Sequence, residues 1–146
     1  MIRRDWSDAR RKVDDEGRCR RCLRSDVRLE AAHVLGRRYD KPRVEGSTTK
    51  VLYVHPDSVI PLCGSTVSTS GVVTKGCHER FDHHEIGILG FLTPAEQIRA
   101  VQDAGSIESA RRRLDPLDYS PPMLAAREQV VAEQEQDRAV RNGGWA

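Results

Sequence analysis

Aromatic residues make up only 5% of this 146-residue chain, and apolar residues 38%, so the sequence can support one modest core and not two. It has no apolar run near the roughly 18 to 20 residues that a membrane span needs, which argues against a transmembrane helix. The opening Met1-Ile2-Arg3-Arg4-Asp5 stays charged where a secretory signal would turn apolar. A cytoplasmic protein is therefore expected. In that compartment thiols stay reduced, so four cysteines point to metal rather than to disulfides.

What the chain has in quantity is charge, at 32% of residues. The net value is only +2, but its distribution is uneven: residues 1–44 carry 14 basic and 8 acidic side chains, residues 45–146 carry 10 and 14. A basic half can attract polyanions through counterion release, although an arginine-rich solvated surface has the same composition.

Patterning predicts a charged helix over 3–16, with Trp6, Ala9 and Val13 as its apolar stripe and Gly17 as its end. A short strand is expected over 27–34, with Leu29, Ala31 and His33 facing one way. Two more are expected over 51–54 and 59–62, parted by the turn residues His55-Pro56-Asp57-Ser58. Residues 64–76 read as a loop or hairpin. A helix begins near His78, and Thr93-Pro94-Ala95-Glu96 starts another that runs to about 104. A short helix follows over 107–114, then a helix-prone or flexible tail at 118–146.

Cys19-x-x-Cys22 can place two sulfurs on one tetrahedral zinc, and Cys63 with Cys77 can close the site. The 13 residues between Cys63 and Cys77 are an unusually long spacer, which a knuckle tolerates because loop-closure cost grows slowly with length. Four thiolates leave no open position, so this zinc is structural. His78 follows the last cysteine, and Asp82 lies one helical turn on, so the two can share a cation. His83 and His84 offer further nitrogens.

In order, Cys19-x-x-Cys22, AAHVLGRR (31–38), VHPDSVIPLC (54–63) and CHERFD (77–82) resemble the zinc-containing HNH endonucleases, especially small phage-type members. The likeness extends through EIGILGFLTPAEQIRAVQDAG (85–105). It implies an α+β fold with a small ββα-metal core and a four-cysteine structural zinc, flanked by N- and C-terminal helices. The nuclease domain with its helical extension would span 1–117.

The resemblance implies a metal-dependent endonuclease that nicks or cuts DNA, with roles in phage genome processing or packaging. Its partners would be DNA and packaging or other phage DNA-processing proteins, in the host cytoplasm if the gene is a phage's. His33 matches the general base and His78 a ligand of the catalytic divalent ion (magnesium, manganese or nickel). Asp82 is placed as the second ligand, with His83 nearby. Arg37 or Arg38 would brace the scissile phosphate.

Two positions depart from the family pattern. Ala32 stands where an Asp, Glu or His binds the metal, and Ser58, beside Asp57, stands where an Asn orients the base histidine. Glu30, two residues from Ala32, shares its strand face. The runner-up reading is a zinc-stabilised DNA-binding module with weak or lost catalysis, and the third a purely structural zinc protein.

Overall fold

The computed structural model describes residues 3–45 and 49–114, together with helical backbone at 129, 132–133 and 135–136. The boundary at 117 and the rest of the 118–146 tail lie outside the described residues.

The predicted helix over 3–16 starts later. Arg3–Asp5 form a strand, β1, and helix α1 runs Ser7–Glu16. Asp5 causes the break: its Oδ1 accepts hydrogen bonds from the Ser7 amide (3.0 Å) and hydroxyl (2.6 Å), satisfying donors that a continuing helix would bond internally. The apolar stripe is as expected, with Ala9 and Val13 fully buried. Gly17 closes the helix at φ 70°, a left-handed conformation that glycine adopts without strain.

Strands β2 (Leu29–His33) and β5 (Val59–Cys63) pair antiparallel, with Ala32 opposite Ile60 and His33 opposite Val59. The chain between them makes a second sheet from β3 (Lys41–Glu45) and β4 (Thr49–Tyr53), with short 3₁₀ turns at Arg37–Tyr39 and Pro56–Ser58. β4 is central, antiparallel to β3 and parallel to β1. Pro42 lies in β3, which is an edge strand, where a missing N–H costs no ladder bond. A small hairpin, β6 (Thr66–Val67) and β7 (Val73–Thr74), precedes α2 (Cys77–Asp82), which packs on β5. Helices α3 (Pro94–Ala104) and α4 (Ile107–Leu114) follow. The fold is mixed α and β.

The pair β2–β5 divides the interior. Side chains alternate along a strand, so Glu30 and Ala32 share one face of β2, while Ala31 and His33 share the other. Ala32 enters the main core with Ile60, Leu62, Phe81, Ile86 and Ile88. Ala31 packs against a smaller cluster of Ala9, Val54, Val59 and Trp6. Covered on both sides, β5 is buried along its whole length, which fits its continuous apolar sequence.

A buried ionic network binds the helical extension to this framework. The fully buried Glu96 of α3 receives Lys12 Nζ from α1 at 2.5 Å and two Arg20 nitrogens at 2.6 and 3.1 Å. Arg20 also donates to both Glu16 carboxylate oxygens and to the Phe91 carbonyl. Burial pushes the Glu96 carboxyl up, but Arg20 and Lys12 outweigh it and hold the group below the ordinary carboxylate value.

Candidate functional site

The four cysteines converge. Cys19 and Cys22 lie in the turn after α1, with Leu23 at a left-handed φ of 67° folding the chain back so that its amide bonds Cys19 O. Cys63 ends β5 and Cys77 begins α2, where its amide donates to the Cys63 sulfur at 3.2 Å. All four sulfurs lie within 4.8 Å of one another, and those of Cys22 and Cys63 are 3.8 Å apart. Four thiolates at ~2.3 Å from a tetrahedral zinc would be separated by about 3.8 Å. The set can hold a metal ion such as zinc.

The long spacer between Cys63 and Cys77 is the β6–β7 hairpin, and a glycine makes its root possible. A Cβ on Gly76 would meet Cys63 O at 2.3 Å and Gly64 O at 2.5 Å, so no other residue lets the two arms approach this closely. The thiols interact strongly. A bond from the Cys77 thiol draws Cys19 down to about 5, the same bond together with burial pushes Cys77 up, and burial pushes Cys22 up to about 11.

The basic residues inside the Cys19–Cys22 turn are not surface charge. Arg20 and Arg21 are 3% and 7% exposed. Arg21 Nε donates to Gly87 O at 2.9 Å, and its guanidinium lies 5.7 Å from the Phe91 ring centre. Part of the N-terminal positive charge is therefore consumed in packing.

His33, at the end of β2, has a side chain 9% exposed. Its Nε2 lies 3.0 and 3.1 Å from the two oxygens of Asp40, a carboxylate 1% exposed that also accepts from Arg4 Nε at 3.2 Å. The Trp6 ring meets the imidazole edge-on, with centres 5.1 Å apart. Burial pushes His33 below its ordinary value; Asp40 opposes this, and Arg37 and Arg4 reinforce it. The imidazole is thus held neutral at neutral pH, the form in which it can accept a proton.

His78 lies on the other side of β2. Its Nδ1 is 3.1 Å from Glu30 Oε1, and its Nε2 is 3.5 Å from Asp82 Oδ2. Two carboxylates therefore bracket the ring at opposite nitrogens, and Arg28 reaches Glu30 from outside at 3.3 Å. Among the described residues the cysteines are the one group of three or more donors whose ligand atoms all lie within 4.8 Å. His83 caps the end of α2, exposed, and bonds back to the Glu79 carbonyl without a hydrogen bond to His78.

The expected phosphate-bracing residues are both exposed. The Arg37 guanidinium is 6.0 Å from the Trp6 ring centre, on the His33 side, and Arg38 donates to the Tyr39 hydroxyl at 2.6 Å. Ser58 does not meet His33 by hydrogen bond. Its amide bonds His55 O and its carbonyl accepts from Val34, while the Asp57 amide donates to His55 Nδ1.

No protein-family model, curated protein or solved structure matches the chain.

The fold brings His33 together with Arg4 and Arg37, and His78 with Asp82. It does not bring His33 to Ser58, or His83 to His78. Asp40 and Arg4 are the site residues that sequence reasoning missed, and no motif announces either. Glu30 was legible only as a residue sharing the face of Ala32, and its contact with His78 depends on where α2 packs.

Proposed function

We propose that the protein is a metal-dependent nuclease that hydrolyses phosphodiester bonds of DNA, as its resemblance to the HNH endonucleases implies. The observation that carries this reading is His33: a nearly buried imidazole bonded to an acidic partner, with an exposed arginine beside it. That is the equipment of a general base placed next to an anion-binding group. The pairing of β2 with β5 and the packing of α2 on β5 support a ββα core around it, and the four cysteines support a structural zinc.

His33 takes a proton from water as the water oxygen bonds to phosphorus. The phosphorus–oxygen ester bond breaks, the leaving oxygen takes a proton from solvent, and His33 returns its own to solvent. Arg37 places positive charge near the developing negative oxygens, with Arg38 on the same exposed turn. His78 with Glu30 and Asp82 offers one imidazole and two carboxylates, a donor set suited to a divalent cation. Because the carboxylates face opposite ring nitrogens, an ion there would rest on His78 and one of them, on the face of β2 opposite His33. When bound, the ion would supply Lewis-acid stabilisation to phosphoryl oxygens within its reach.

Incubation with supercoiled plasmid in magnesium, manganese, nickel or EDTA tests this. Nicking with a metal and none in EDTA is expected. No nicking with any ion supports the second reading, a zinc-stabilised DNA-binding module, which the full burial of Ala32 in the apolar core favours.

A further inference from the structure

We propose that Asp40 is the positioning residue for the base His33, taking over the role that the resemblance gives to the position of Ser58. This role presupposes the assignment of His33 as the base.

A chain reversal puts Asp40 there. Gly36, at φ 155°, turns the chain out of β2 into the 3₁₀ turn Arg37–Tyr39, where the Tyr39 and Asp40 amides bond back to Gly36 O and Arg37 O. Seven residues after the histidine, Asp40 comes to lie against its ring. It is held from its other side by Arg4 of β1, itself fixed by parallel pairing with Leu52. The carboxylate is therefore anchored by a different sheet from the one that carries the imidazole.

The chemistry of the pair fixes the tautomer. A carboxylate only accepts hydrogen bonds, so the Nε2 that faces it must carry the proton and donate. The lone pair of the neutral ring then sits on Nδ1, which no hydrogen bond engages among the described residues. Trp6 limits rotation of the ring from its edge. When Nδ1 takes the proton of the attacking water, the resulting imidazolium already faces a negative charge, in a site where Arg4 and Arg37 would otherwise disfavour it. Ser58, engaged through its backbone and with no hydrogen bond to His33, offers none of this.

The test measures plasmid nicking against pH for wild type, Asp40→Ala, Asp40→Asn and His33→Ala, with thermal unfolding and zinc content as folding controls. Asp40→Ala should slow nicking by about 10²-fold or more with zinc retained. Its acid limb should move to lower pH, because Asp40 no longer offsets burial, Arg4 and Arg37; a merely structural role would leave that limb in place. Asp40→Asn keeps an accepting carbonyl, so it should recover part of the rate but not the position of the limb. If both Asp40 variants match wild type in rate and limb while His33→Ala is inactive, the positioning role is overturned and the base assignment survives. If His33→Ala nicks like wild type, or wild type does not nick, the base assignment falls and the positioning role with it. Should Asp40→Ala fail to fold, nitrogen-15 NMR of wild-type His33 decides: protonation at Nε2 is expected, and protonation at Nδ1 in the neutral ring would overturn the proposal.

Discussion

Glu30 Oε1 lies 3.1 Å from Nδ1 of His78, joining the middle of β2 to the first turn of α2 across 48 residues of sequence. The contact puts a carboxylate on the face of β2 that also carries Ala32, where the proposed HNH reading calls for an acidic or imidazole ligand. Glu30 projects two residues earlier on the same face, so its longer side chain reaches what alanine cannot.

If the ion rests on His78 and Glu30, Glu30→Gln should raise the metal concentration for half-maximal nicking by roughly 10-fold, the scale of a change around a metal site. Asp82→Asn should then shift it far less. A metal titration of both variants distinguishes the two nitrogens of His78, since the larger shift identifies the carboxylate that shares the ion.

Ala32 is 0% exposed in the main core, against Ile60, Leu62 and Phe81. Placing a carboxylate there would leave an uncompensated buried charge, so Ala32→Asp should destabilise the protein by about 3 to 5 kcal/mol in chemical denaturation. A variant as stable as wild type would mean that position 32 opens toward the His78 site.

One zinc per chain is expected by elemental analysis, and Cys19→Ser or Cys77→Ser should lose both the metal and the cooperative thermal transition, because binding and folding are coupled. Thiols pushed up at Cys22 and Cys77 must give up protons to bind, so zinc uptake by chelator-stripped protein at neutral pH should release protons measurably. Full stability after exhaustive chelation would contradict a structural role.

Glu96→Gln should cost about 3 to 5 kcal/mol at pH 7, since Lys12 and Arg20 lose a charged partner inside the protein. The sign of the pH dependence follows from the depressed carboxyl. Its contribution is complete above the unfolded value of 4.5 and is lost as pH falls through the lower folded one. Urea unfolding should therefore show the gap between wild type and Glu96→Gln narrowing only below about pH 4.5.

Where local chemistry decides, the sequence was easily read. Helix α3 runs Pro94–Ala104 because Thr93 and Glu96 form a reciprocal capping box and Gly105 ends the helix. Strand β5 announced itself by apolar run length. By contrast, β3 (Lys41–Glu45) contains a proline and two basic residues and has no alternating pattern, so only its pairing with β4 reveals it. The start at Ser7 was hidden because Asp5 can serve a helix or a cap. The cysteine site was legible from spacing, whereas the partners of the two histidines were not. Asp40 and Glu30 reach their histidines through a turn and a helix packing that no spacing rule encodes.

The most direct test of the account is single-turnover nicking of supercoiled plasmid by wild type and His33→Ala at equal zinc content, with manganese or magnesium. Wild type should nick, EDTA should stop it, and His33→Ala should be slower by about 10² to 10⁴-fold while binding plasmid with near wild-type affinity. Equal rates for the two proteins would contradict the account.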